Sequence, residues 1–260
     1  MKDTKDSPEY LAKKRAFSKM LTLYGRKPVL EALQDPSVTP FRLHLATSNK
    51  PVTLLDDILL LAESKGAEVR YHTRDALSRI SKNSKQDQGV AIDLQCPGFQ
   101  QADDFLAAPP KAHFELLALD GITNPQNVGM IIRSATAGAI DGIILPEKGC
   151  APIDPLVIKA SAGTVFKANI LRCSSLVKTL KQFRQHGTHV YGLSSHADTT
   201  LANLTSHSAN IYVLGNETKG VSKEVSELCN KHIAIPMNNN VESLNVAVTA
   251  ALIAFRTVIR

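Results

Sequence analysis

Three polar clusters could do chemistry. Asp120-Gly121 leads through Thr123-Asn124-Pro125-Gln126-Asn127 towards Arg133, Gly215-Asn216-Glu217 runs to Gly220, and the stretch Asn238 to Asn245 carries Glu242, Ser243 and Asn245. Side-chain amides orient partners without titrating, carboxylates hold cations, and a guanidinium grips phosphate or carboxylate through a planar fork. Arg133 interrupts the apolar run VGMIIRSATAGAI. A guanidinium buried there needs an anion, either Glu217, Glu242, or a phosphate or carboxylate of a ligand. Asn127 lies six residues earlier, so Arg133 follows it by about a turn and two-thirds of helix. Asn127 could simply cap that helix, as Ser243 and Asn245 could cap the last one.

The elements that must position these clusters are short aliphatic runs. FELLALDGI, DGIILP, VFKANILRC, THVYGLSS, IYVLG and HIAIPM alternate with helical stretches, beginning at about Asn127, Pro155, residue 175 and Ser243. Runs without polar alternation suit strands buried on both faces, so six strands in a mostly parallel sheet are expected, with polar clusters at the strand ends where open α/β sheets bind ligands. Upstream, LYGRKPVLEALQDP reads as a helix stopping at Asp35-Pro36. Strands follow at 42–47, 67–72 and 89–95, with helices over 53–65 and 74–81, which makes a second, smaller α/β unit. The loop SKNSKQDQG offers Lys82 and Lys85 to phosphates. The chain is expected to divide into a basic flexible arm (1–22), the small unit (23–96), a linker marked by Pro97-Gly98 and Pro109-Pro110 (97–112), and the larger unit (113–260).

Composition removes several classes. No run approaches the length of a membrane span, and the start MKDTKDSPEYLAKKR lacks the apolar core of a signal peptide, so a cytoplasmic protein without membrane partners is expected. Cys96, Cys150, Cys173 and Cys229 are far apart, and His186 and His189 lack a third ligand nearby, so no metal is expected. No G-x-G, P-loop, G-x-S-x-G or H-E-x-x-H occurs, which disfavours nicotinamide enzymes, P-loop nucleotidases and common hydrolases. Thirteen aromatic residues, none in an RRM-type cluster, fit an aromatic RNA platform badly. Net charge is +6, and residues 1–27 hold eight Lys or Arg against three acids, an arm that suits a polyanion such as RNA or serves as a solvated tail.

N-P-Q-N-V-G-M-I-I-R (124–133), L-G-N-E-T-K-G-V-S (214–222) and I-P-M-N-N-N-V-E-S-L-N-V (235–246) resemble, in order and spacing, the three signature motifs of the SpoU/TrmH family of RNA ribose 2′-O-methyltransferases in the SPOUT superfamily. Lys159-Ala160-Ser161-Ala162-Gly163 is similar to a further family segment. YGRKPVLEAL and QGVAIDL resemble the α/β substrate-binding domain of the ribosomal-RNA branch. The resemblance implies a deep trefoil knot in the C-terminal domain, S-adenosylmethionine as methyl donor, a homodimer through that domain, and ribosomal RNA as substrate. A transfer RNA substrate, or a non-catalytic RNA-binding or ribosome-assembly role on the same scaffold, are the alternatives.

Carried over by motif, Asn127, Arg133, Glu217, Ser243 and Asn245 are the implied catalytic set. Leu214, Gly215, Ile235, Met237 and Leu244 are implied to hold the cofactor, although Ile235 and Leu244 would otherwise read as core. Arg133 is expected to grip the target phosphate and stabilise developing alkoxide charge, because a guanidinium stays protonated. Asn239 stands where many relatives have glycine, and Ala247 where a small hydroxyl residue is frequent.

Overall fold

A computed structural model of the protein describes residues 17–204 and 208–259. The chain forms two compact units, Met1–Pro97 and Gly98–Arg260. Among the described residues no helix is long and apolar enough to cross a membrane.

The smaller unit contains β1 (Met20–Tyr24), α1 (Arg26–Gln34), β2 (Thr39–Ala46), α2 (Thr53–Ser64), β3 (Glu68–His72), α3 (Arg74–Ser81) and β4 (Val90–Gln95). Its sheet runs in the order β1-β4-β2-β3, with β4 antiparallel to both neighbours and β2 parallel to β3. Leu23, Leu43, Ile92 and Leu94 are buried together with Val29 and Leu33 of α1 and Ile58 and Ala62 of α2. On the other face α3 sets Leu77 against Ala46 and Ala91. The first sixteen residues of the expected basic arm lie outside the described residues. Its end is not an arm, because β1 begins at Met20 and buries Leu21 and Leu23 in period-two alternation.

The larger unit contains β5 (Phe99–Gln101), α4 (Ala102–Ala107), β6 (Phe114–Leu119), α5 (Pro125–Ala137), β7 (Gly142–Pro146), α6 (Pro155–Ala160), β8 (Ile170–Cys173), α7 (Leu176–Gln185), β9 (His189–Leu193), β10 (Ala209–Leu214), α8 (Lys223–Ser226), β11 (Lys231–Ile233) and α9 (Val246–Phe255). Its sheet has seven strands, not six, in the order β11-β9-β10-β6-β7-β8-β5, and every pairing is parallel. The seventh strand lies in the segment expected as a linker. Phe99 is fully buried and Phe105 of α4 packs edge-on against Phe114 at 5.3 Å, so Phe99, Ala102 and Phe105 belong to the core. A three-residue strand is too short to show periodicity. Helices α4 and α7 cover one face of the sheet, while α5, α6 and α9 pack together on the other.

Gly129 lets α5 approach α6. A Cβ there would lie 2.5 Å from the Ala160 Cβ and 2.6 Å from the Val157 carbonyl oxygen. Gly129→Ala is therefore expected to destabilise the larger unit by about 2 to 3 kcal/mol through overpacking. Calorimetry checks this as a fall in Tm of several degrees, and an unchanged Tm would show that the helices separate freely.

Candidate active site

In the larger sheet the chain moves from β6 to β7 and β8 on one side and returns to β9 and β10 on the other. The switch point therefore falls between β6 and β10, the place where open α/β sheets open a crevice. Leu119 and Leu214 pair as the last residues of these strands, so the loops carrying the first two polar clusters leave the sheet side by side. Two contacts fasten them. Asn216 Nδ2 donates to the Gly121 carbonyl at 2.9 Å, and the Ser222 amide donates to Asp120 Oδ2 at 2.7 Å.

Asn216 also builds its own turn. Its Oδ1 accepts from the Thr218 and Lys219 amides, and its backbone forms a reciprocal pair with Gly220, whose φ of 68° is left-handed. Gly215 has no room for a side chain beside Gly220 and Val221. The sequence placed Asn216 and Asp120 in these polar clusters but gave a role only to Glu217. A Gly-Asn pair just after a strand, with the Asn two residues before turn amides, is the signal that assigns the first its role.

The turn presents Glu217 to the mouth of α5. Asn127 Nδ2 donates to Glu217 Oε1 at 2.5 Å, and Asn127 Oδ1 accepts from Asn245 Nδ2 at 3.1 Å. One side chain from each cluster thus joins a single hydrogen-bonded chain, although the residues are 90 and 118 positions apart. Asn127 is buried, 5% exposed, so its amide is fixed by both partners. It is not the helix cap. Asn124 caps α5, accepting from the Gln126 amide at 2.9 Å, and leaves Asn127 free to turn inward. Asn245 caps α9, its Oδ1 accepting from the Ala247 amide at 2.8 Å, and its Nδ2 also reaches Asn127.

Arg133 is a correction. It is exposed, and among the described residues it makes no ion pair with Glu217 or Glu242. Six residues turn the helix through about 240° from Asn127, onto the outward strip with Gln126, Met130 and Ala137. The apolar run hid this phase, because Ile131, Ile132 and Ala135 occupy the buried half.

Ser243 is exposed, and its hydroxyl has no partner among the described residues. Leu214 is buried at the end of β10, Gly215 closes the Glu217 turn, and Ile235, Met237 and Leu244 are half-buried. Ile235 follows a laced segment: the Ala234 amide donates to the Thr199 carbonyl at 2.8 Å, and the Ala234 carbonyl accepts from the Leu201 amide at 2.8 Å. Asn239 has φ 54°, a left-handed conformation that asparagine tolerates in place of glycine. Cys150 lies beside β6, where burial raises its pKa and keeps the thiol protonated. Among the described residues no group of three or more His, Cys, Asp and Glu could hold a metal ion.

Residues 115–255 match the model of the SpoU rRNA methylase family, and residues 22–97 match that of an RNA 2′-O ribose methyltransferase substrate-binding domain. A protein of Mycolicibacterium gilvum described as an uncharacterized tRNA/rRNA methyltransferase is 32% identical over 231 residues, 88% of this chain and 73% of its own length. A Mycobacterium leprae protein described in the same terms is 33% identical over 236 residues, 89% of this chain and 75% of its own. The SpoU methyltransferase AviRb from Streptomyces viridochromogenes, solved in complex with AdoMet, shares the fold with a TM-score of 0.62 at 23% identity, covering 95% of this chain and 92% of that one. A putative TrmH-family RNA methyltransferase from Porphyromonas gingivalis has a TM-score of 0.60 at 25% identity, covering 96% and 97%.

Proposed function

Because the chain belongs to the SpoU rRNA methylase family of RNA methyltransferases, we propose that it transfers a methyl group from S-adenosylmethionine to a ribose 2′-hydroxyl of ribosomal RNA. The observation that carries this reading is the Asn245–Asn127–Glu217 chain at the β6/β10 switch point, one polar side chain from each of three separate loops. A methyl transfer to oxygen needs a held hydroxyl and a held donor, and no covalent nucleophile from the protein. The arrangement offers fixed amides and a carboxylate, with the nearby thiol kept inert.

The cofactor set fits its group. Ile235, Met237 and Leu244 are half-buried apolar side chains, and Gly215 brings main chain close with no side chain in the way. These residues and Leu214 would hold S-adenosylmethionine, with backbone groups gripping its polar ends and apolar side chains its flat base. When bound, it would supply an electrophilic methyl on sulfur: the C–S electron pair would stay with sulfur, the ribose oxygen would take the carbon, and the hydroxyl proton would leave to water. Asn127 and Asn245 orient groups around the ribose, Glu217 is held by Asn127, and Ser243 stands free to meet substrate. Arg133 grips the phosphate next to the target ribose and stabilises charge developing on the 2′-oxygen.

Arg133 reaches such a site in a homodimer. Helix α9 is apolar all round and leaves Val248 (48%) and Leu252 (41%) exposed, and α5, packed against it, leaves Met130 (39%) exposed in the same strip as Arg133. A helix of that kind calls for a second covering surface. A second copy covers it and receives Arg133 into its own site. The lacing of Ala234 to Thr199 and Leu201 supports a C-terminal segment tied through the 194–201 loop, the trefoil knot of the family. The small unit contributes RNA binding, and the protein acts in the cytoplasm. Ribose-methylation mapping across total RNA from cells with and without the protein tests this reading. A ribosomal-RNA site present only with the protein is expected; a site in transfer RNA would transfer the assignment there, and no lost site would end it.

A further inference from the structure

The sheet face of the small unit on which α3 packs also holds, beside that helix, a hydrogen-bonded relay. Thr22 Oγ1 of β1 donates to Asp93 Oδ1 of β4 at 2.7 Å, Asp93 Oδ2 lies 3.0 Å from His44 Nε2 of β2, and His44 Nδ1 lies 2.9 Å from His72 Nε2 of β3. His44 is buried and His72 half-buried, so the chain runs from the interior to the surface. Two guanidiniums flank its outer end. Arg42 and Arg70 each donate through Nε to the two oxygens of Glu68, at 2.7 and 2.6 Å. Among the described residues their terminal nitrogens meet no hydrogen-bond partner. Arg42 is further steadied over the Phe41 ring at 4.9 Å. Both forks are pinned at the stem and open at the tip, the arrangement that meets a phosphate with little ordering left to do.

We propose that Arg42, Arg70 and His72 form a phosphate-binding site for an RNA strand, and that the Asp93–His44–His72 relay takes up a proton when the phosphate docks. Its identification with RNA rests on the reading of the protein as an RNA methyltransferase. The proton follows from the tautomers. Hydrogen bonds from His44 and Thr22 outweigh burial and hold Asp93 below the usual carboxylate range, so Asp93 is ionised and His44 donates to it from Nε2. In the neutral relay His72 therefore donates from Nε2 to His44 Nδ1, and its own Nδ1 presents a lone pair that repels a phosphate oxygen. A docked phosphate needs a proton on His72 Nδ1. His72 then becomes an imidazolium that donates from Nδ1 to the phosphate and from Nε2 to His44 Nδ1, while His44 still donates from Nε2 to Asp93. One proton enters and no other bond changes.

Burial first, then His44, Arg70 and Arg42, keep His72 below the ordinary imidazole range, which favours its neutral form until an anion arrives. The charged groups on this face are Asp93, Arg42, His44, Glu68 and Arg70, and α3, packed beside it, adds the exposed Arg74, Asp75 and Arg79.

The test is calorimetric titration of the full chain with a short single-stranded RNA, in two buffers of different ionisation enthalpy, between pH 6 and 8. The wild type is expected to take up about one proton per RNA bound, with affinity falling by up to about tenfold per pH unit. His72→Gln and His44→Gln are expected to bind RNA with no such uptake. No proton uptake by the wild type, which needs no variant to fold, would overturn the proposal, as would the same uptake in His72→Gln; RNA binding in either case leaves the RNA reading intact. A parallel titration with inorganic phosphate, followed by NMR of the imidazole nitrogens, separates the sources. A phosphate-linked shift at His72 in a protein that ignores RNA would keep the phosphate site and overturn its assignment to RNA.

Discussion

Arg133→Lys is expected to lower methyl-transfer turnover by about 10²-fold or more, the usual cost of losing one preorganised donor to developing oxygen charge. Lysine keeps the charge and loses the fork that takes two phosphate oxygens at once. Because Arg133 is exposed and unpaired among the described residues, its loss costs the fold little, about 0.5 kcal/mol or less. S-adenosylmethionine affinity should stay within about twofold of wild type, since the residue lies about 240° around α5 from Asn127. A mixed dimer then separates action within one copy from action across the interface. One subunit carrying Arg133→Ala and the other Asn127→Ala leaves one complete site if Arg133 serves its partner, and about half the wild-type rate returns. If Arg133 serves its own copy, both sites are broken and the mixture is inactive. Near-normal turnover of Arg133→Lys would remove Arg133 from the mechanism.

Gly215→Ala is expected to strike the cofactor side of the site as hard. A Cβ at Gly215 would lie 2.1 Å from the Gly220 carbonyl carbon, 2.2 Å from the Val221 nitrogen and 2.4 Å from the Gly220 oxygen, all main-chain atoms with no rotamer to change. The Asn216–Gly220 pair must open to admit it, which displaces the turn holding Glu217 against Asn127. An overpacking cost of about 2 to 3 kcal/mol, taken locally, corresponds to about 30- to 150-fold weaker S-adenosylmethionine binding. Isothermal titration reads this directly. Wild-type affinity in Gly215→Ala would show that the turn plays no part in holding the donor.

The sequence disclosed the larger unit well where aliphatic runs were long. FELLAL, GIILP and NIYVL are buried strands, and the polar residues after them sit where a parallel sheet places a site. It failed where elements were short or where phase mattered. Phe99–Gln101 was too brief to read as the seventh strand, and Met20–Tyr24 was split between the basic arm and the stretch read as the first helix. Arg133 looked buried because its neighbours in sequence are apolar, yet at about 100° per residue those neighbours point elsewhere. The motifs suggested that Asn127, Glu217 and Asn245 act together, but only the fold supplies the hydrogen bonds that join them. The Asp93–His44–His72 relay had no signal in one dimension. Its members come from three strands and meet only through sheet pairing.

The most direct measurement supplies methyl-deuterated S-adenosylmethionine and ribosomal RNA from cells lacking the protein, then digests the RNA to nucleosides for mass spectrometry. The deuterated methyl is predicted in the ribose fragment of a single nucleoside, with the signal lost in Arg133→Lys. Label in the base fragment, or none in RNA at all, would contradict a site built to present a ribose hydroxyl.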